Sequence, residues 1–96
     1  MTDTQISIDA IRYLQKNKIY SDEIKQKIRK CLGEYLLISI NECDKHELKG
    51  HLKGFWRLHV GRHHVVIYKI MGKKPDRYAQ IYLIMSEEKY HNWLNS

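Results

Sequence analysis

Between residues 45 and 74 the chain gathers side chains that move protons and hold phosphate. Five of the six histidines lie there (His46, His51, His59, His63 and His64), interleaved with Lys49, Lys53, Arg57 and Arg62. Imidazole titrates near neutrality, so it can take a proton from an attacking hydroxyl and give one to a departing oxygen. Guanidinium and ammonium groups stabilise the charge that builds on a phosphate during the displacement. A surface lined by His46, Lys49, Arg57, His59, Arg62 and His63 therefore has the parts to cut an RNA phosphodiester. The scheme needs no metal and no cofactor. RNA suits it better than DNA, which lacks the internal 2′-hydroxyl nucleophile.

The same stretch carries the charge excess. The chain holds 17 Lys and Arg against 11 Asp and Glu, a net charge of +6. Residues 1–44 balance seven basic side chains against seven acidic ones, and residues 75–96 carry two against three. Residues 45–74 carry eight basic side chains against Glu47 alone. A local excess of this kind is an electrostatic footprint for an anion such as phosphate, although a solvated basic loop beside an acidic partner gives the same pattern. Lys49, Lys53, Arg62 and, nearer the C-terminus, Lys89 are the candidate phosphate contacts. Zinc is a weaker reading of Cys43, His46, His51, His59 and His63. Only His59 and His63 have a ligand-like gap, and that gap straddles a strand end instead of a helical turn.

Positioning such groups takes a packed domain. At 96 residues, 43% hydrophobic and 29% charged with one Pro, the chain reads as one globular domain over 1–96 and not as a disordered segment. Its most apolar run, Tyr35 to Ile40, is far short of the roughly 20 residues of a membrane span. Met1 to Thr4 lacks the basic start and apolar stretch of a secretory signal. Cys31 and Cys43 form no CxxC, so reduced thiols in a cytoplasmic protein are expected.

Ile8, Ile11, Leu14 and Ile19 recur at helical spacing after Ser7, a plausible N-cap, and Gln5-Ile6 reads as the end of an edge strand. Ser21 reads as a second N-cap, with Asp22 and Glu23 in the first turn. Ile24, Ile28, Leu32 and Tyr35 or Leu36 continue that helix through Gly33. The two helices are expected to form a hairpin. Lys45 to Gly54 reads as an exposed loop with two permissive glycines. From Trp56 the period becomes two: Trp56, Leu58 and Val60 alternate with Arg57 and His59. A turn at 61–63 leads to a central strand over 64–70, a second turn at 72–76 to a strand over 79–85, and Ser86 caps a helix from Glu87 to about Leu94. The expected fold is α+β: an N-terminal two-helix hairpin packed on a small antiparallel β-sheet, helices on one face, with a short C-terminal helix. Arg57 and His59 would then share the face that the helices leave open.

The run from His46 through Leu48, Gly50, Gly54, Arg57 and His59 to Val65, Val66, Ile67, Tyr68 and Ile70 resembles the RelE/ParE superfamily of toxins from type II toxin–antitoxin systems. It is most similar to the YafQ-like and RelE-like mRNA endonucleases, and the similarity of element order covers essentially the whole chain. The resemblance implies a growth-inhibiting toxin that enters the ribosomal A site and cuts mRNA there, neutralised by a cognate antitoxin in a hetero-oligomer. It places His46 and His59 at catalytic or substrate-contacting positions, Arg57 at a strand cation and Lys49 at a basic loop position. His63 falls where the YafQ-like branch has an acid. Near the C-terminus, where the family supplies His, Arg or Tyr, this chain offers Lys89, Tyr90, His91 and Trp93, beside the unusual pair Glu87 and Glu88. His91 is the candidate catalytic group of that segment.

Two other functions share this fold expectation. A ParE-like inhibitor of DNA gyrase would have no need of imidazoles beside Arg57, and a non-catalytic basic RNA-binding module would tolerate loss of His59. For single residues the ordinary structural roles compete: Trp56 and Tyr68 are more often core than base-stacking platforms, His63 and His64 sit where a turn needs residues, and Trp93 suits either docking or stacking.

Overall fold

Alternating apolar and polar residues after Phe55 build the centre of the sheet, and the elements before and after it cover its two faces. The computed structural model describes residues 4–95; Met1 to Asp3, read above for a signal, and Ser96 lie outside them. The order is β1 (Thr4–Ile6), α1 (Ile8–Lys16), α2 (Lys18–Ile28) prolonged by a π-helical turn (Arg29–Glu34), β2 (Asp44–Glu47), a 3₁₀ turn (Gly50–Leu52), β3 (Trp56–Val60), β4 (His64–Met71), β5 (Tyr78–Ser86) and α3 (Glu87–Leu94). The five strands form one mixed sheet in the order β1-β5-β4-β3-β2, antiparallel except for β1 beside β5. The α+β class holds, and the expectation of a purely antiparallel sheet does not.

Both serine caps stand where their residue types placed them. Ser7 Oγ accepts from Ala10 N–H and Ser86 Oγ from Lys89 N–H, each at 3.1 Å, which satisfies one orphan donor at each helix start. Ser21, by contrast, caps nothing. The break between the helices falls at Asn17, whose Nδ2 donates to the Tyr13 carbonyl at 2.9 Å. That bond finishes α1 and lets α2 begin at once, leaving Ser21 a turn inside it. The buried stripe of α1 also differs from the expected one. Ala10 and Leu14 face the core, while Ile8 (69% exposed), Ile11 and Ile19 (90%) point outward.

Alternation in β3 and β4 separates two cores. Leu58, Val60, Val66 and Tyr68 face α1 and α2 and pack with Leu14, Ile24, Ile28, Leu32 and Ile81. Val65 and Ile67 face the other way and pack with Met85 and Tyr90, flanked by Phe55, Trp93 and Leu94. Helix α3 thus lies on the face opposite the hairpin. All helices on one face was the expectation; Val65 and Ile67 make the second face of the central strand too apolar to leave bare.

Two further departures concern the segment that enters the site. Cys31 and Cys43 form a disulfide across a Cα–Cα distance of 5.6 Å, where free thiols were expected. Both positions are buried, Cys31 on the π-helical turn and Cys43 just before β2. Residues 45–47, read as loop, form with Asp44 an edge strand paired with β3. Lys45 on that strand reaches back to the helix end, where Nζ donates to the carbonyls of Cys31, Tyr35, Leu36 and Ile38. Carbonyls at a helix C-terminus lack intrahelical donors, so one ammonium serves several of them. Burial lowers the Lys45 pKa. Gly50 opens the 3₁₀ turn and Gly54 follows it, at φ 69° and 100°, a backbone region other residues seldom adopt.

Candidate functional site

Strand pairing brings the candidate residues together. The β2–β3 register sets Asp44 opposite His59 and His46 opposite Arg57, so four polar side chains share the sheet face that also carries α3. Asp44 is the hub. Its carboxylate lies 3.3 Å from His46 Nε2, 3.5 Å from Arg57 Nη1 and 3.4 Å from His59 Nδ1. Arg57 Nη1 also hydrogen-bonds His59 Nδ1.

The other side of the His59 ring meets α3. Nε2 lies 2.7 Å from Glu87 Oε2, and Glu87 Oε1 lies 3.1 Å from His91 Nε2. Glu87 and His91 are four residues apart on one helix face, the spacing at which side chains meet. Glu87 opens α3, where the helix dipole favours a carboxylate, and its backbone N–H is fixed at 2.9 Å to the His63 carbonyl. The Tyr90 ring stands edge-on to His59 with centroids 5.9 Å apart. Burial pushes the Tyr90 phenol above its ordinary pKa, against a downward pull from Arg57. Arg57 and His59 are each 19% exposed, whereas His46 and His91 are 65% exposed. The cluster is anchored in the middle and opens to solvent at both ends. The expectation that no helix covers Arg57 and His59 is corrected here: the start of α3 sits against them.

Four of the five candidate catalytic residues are thus connected: His46, Arg57, His59 and His91. The fifth, His63, is in the turn between β3 and β4, and its ring stands edge-on to His64 at 6.4 Å. The cluster uses its backbone carbonyl. The candidate phosphate contacts Lys49, Lys53, Arg62 and Lys89 are all exposed and form no ion pair among the described residues. His64, a suspected turn residue, is buried on the hairpin face, where Nδ1 bonds the Tyr13 hydroxyl at 2.9 Å.

Asp44 and Glu87 were not among the candidates. Asp44 escaped because its proximity to His59 arises only from the β2–β3 pairing. Glu87 did leave a signal, its four-residue spacing from His91 at a capped helix start. Among the described residues no group of three or more His, Cys, Asp or Glu side chains is arranged to hold a metal ion, and Cys43 is engaged in the disulfide.

No protein-family model matches the sequence, nor does any curated protein. Solved structures do match in shape. A YoeB/ParE toxin from Agrobacterium tumefaciens superposes with a TM-score of 0.68 at 14% identity, covering 91% of this chain and 99% of the other. The fold is that of the YoeB and YafQ toxins. A point mutant of YafQ from E. coli gives a TM-score of 0.68 at 19% identity, with 94% and 98% covered. The E. coli DinJ–YafQ toxin–antitoxin complex gives 0.67 at 20%, with 92% and 94% covered. Structural neighbours of this chain thus include a YoeB/ParE toxin and a toxin–antitoxin complex. No helix among the described residues is long and apolar enough to cross a membrane.

Proposed function

We propose that this protein is the toxin of a type II toxin–antitoxin pair and that it cuts mRNA on the ribosome. The observation that carries the reading is the cluster itself: three imidazoles and a guanidinium, from β2, β3 and α3, joined through two carboxylates on one solvent-open face. A nucleotide strand laid there places its phosphate against Arg57, with Lys49, Lys53, Arg62 and Lys89 as more distant contacts to the backbone and to ribosomal RNA in the A site. In the proposed step His59 takes the proton of the 2′-hydroxyl. The 2′-oxygen then bonds to phosphorus and the bond to the 5′-oxygen breaks. That oxygen leaves with a proton from one of the two exposed imidazoles, His46 or His91. The products are a 2′,3′-cyclic phosphate end and a 5′-hydroxyl end. No metal enters the step.

An antitoxin is the second part of the proposal. Ile8, Ile11 and Ile19 are exposed on the hairpin, and Ile11 lines a groove of about 440 Å³ together with Ile6, Leu14, Lys18 and Lys25. Apolar surface of this kind accompanies a protein that is held by a partner. The similarly folded YafQ occurs in a toxin–antitoxin complex with DinJ, which supports a hetero-oligomer in the compartment where mRNA is translated, the cytoplasm.

Induced expression should arrest growth and produce mRNA cuts that require translation. His59→Ala or Arg57→Ala should relieve the arrest and lower cutting by about 10²-fold or more, as expected for losing a positioned acid–base or charge-stabilising group. A protein that leaves mRNA intact in a translating extract and traps gyrase–DNA complexes would instead be a gyrase inhibitor. If His59→Ala changes nothing while charge reversal at Arg57 and Lys49 abolishes RNA binding, the protein is a binding module.

A further inference from the structure

We infer that Glu87 is a positioning residue: it fixes His59 in the tautomer protonated at Nε2 and so leaves Nδ1 as the atom that receives the substrate proton. Two contacts point to this assignment, and both are closer than the 3.4 Å from Nδ1 to Asp44 Oδ2, which alone would favour a proton on Nδ1. On one side, the Arg57 guanidinium can only donate, so Nδ1 must be the acceptor of their hydrogen bond. On the other, Nε2 lies 2.7 Å from Glu87 Oε2. A lone pair on Nε2 would stand against a carboxylate oxygen at that distance, whereas a protonated Nε2 makes the contact attractive. Among the described residues Oε2 is shut off from solvent and accepts no hydrogen bond, so its 2.7 Å ion-pair contact with His59 Nε2 is what answers its charge.

Glu87 cannot turn away from this contact without cost. Its backbone is held by the His63 carbonyl, its helix start is capped by Ser86, and its second oxygen is engaged by His91. A carboxylate that orients a histidine from the side away from the substrate also stabilises the imidazolium formed when the ring accepts a proton. Asp44 sits on the Nδ1 side with Arg57, and it gives the guanidinium a second partner when a substrate hydroxyl displaces it from Nδ1. Glu87, four residues before His91, therefore joins one imidazole held within the cluster to one that faces solvent.

The tautomer half of this inference stands on geometry alone, and the catalytic half rests on the RNA-cutting reading. The experiment is chosen to separate them. In ¹⁵N-labelled protein near neutral pH, long-range proton–nitrogen spectra should show His59 with its proton on Nε2, and Glu87→Gln should shift the ring toward a mixture, because an amide can present either a donor or an acceptor. With purified ribosomes carrying mRNA, the single-turnover cleavage rate at saturating protein should fall by about 10²-fold in Glu87→Gln. The protein concentration giving half that rate should be unchanged, and Glu87→Asp should recover part of the rate. A wild-type His59 protonated at Nδ1 overturns the inference without any variant, as does Glu87→Gln with wild-type tautomer and rate. A wild-type protein with the Nε2 tautomer that cuts no mRNA leaves the tautomer assignment standing and ends the RNA-cutting reading instead.

Discussion

On the hairpin face of the sheet, His64 is buried among Tyr13 and Tyr20, with one nitrogen bonded to a phenol and the other without a hydrogen-bond partner among the described residues. On the α3 face, His59 lies between two carboxylates and a guanidinium. The two residues are five apart, bracket one tight turn, and belong to adjacent strands. Burial lowers the pKa of His64, reinforced by His63 and opposed by Glu23. One face packs the ring among phenols and uses it as volume; the other gathers two carboxylates and a guanidinium around it and keeps it within reach of solvent. The same residue type is thus a packing element or a reagent according to which side of the pleat it occupies.

The contrast is sharpest between neighbours on β3. Leu58 is fully buried against the hairpin while His59 faces the cluster. Leu58→Ala should destabilise the fold by about 2–5 kcal/mol, the range for a buried leucine, whereas His59→Gln, which keeps a polar partner for Glu87, should lower cutting by about 10²-fold or more with a much smaller effect on stability. Urea unfolding of the two variants beside a cleavage assay makes the comparison, and equal losses of stability would erase the distinction between the faces.

Acidification probes the hairpin side. Because the folded state lowers the pKa of His64 below its ordinary 6.5, it favours the neutral ring. The stability contributed is complete above 6.5 and is lost as pH falls through the folded-state value. Urea midpoints measured at about pH 7.5 and about pH 5 should fall more steeply in the wild type than in His64→Gln, which keeps an acceptor for Tyr13 and cannot titrate. Parallel losses in both proteins would remove His64 from the account.

The smallest effect is expected at the exposed lysines. Lys49→Ala should change stability by less than about 0.5 kcal/mol. If Lys49 meets a phosphate, the slope of log affinity for single-stranded RNA against log salt should shrink by about 0.7. An unchanged slope would confine phosphate recognition to the cluster around Arg57.

How much of this was readable in the chain depended on range. The strands from Trp56 to Ser86 and the Ser7 and Ser86 caps were legible because alternation and capping are written within a few residues. Strand β2 was not, because Asp44, Lys45, His46 and Glu47 show no apolar alternation: the strand lies at a sheet edge and its inward residue is a lysine satisfied by distant carbonyls. The convergence of His46, Arg57 and His59 was anticipated from their types and from the family resemblance. The carboxylates among them were not, since the contact of Asp44 with His59 exists only through strand register. Placement of α3 on the second face was legible in principle from Val65 and Ile67, whose apolar character on both sides of β4 demanded a second cover.

Strand β2 is moored to the helical layer twice. The Cys31–Cys43 bond ends one residue before Asp44, and the Lys45 ammonium binds the same helix end one residue after it. Reduction would open the first mooring and leave the second untouched, while charge removal at Lys45 does the reverse. The residue through which three neighbours of the site are coordinated is accordingly kept in place by two fastenings of unrelated chemistry, and no single change of surroundings undoes both.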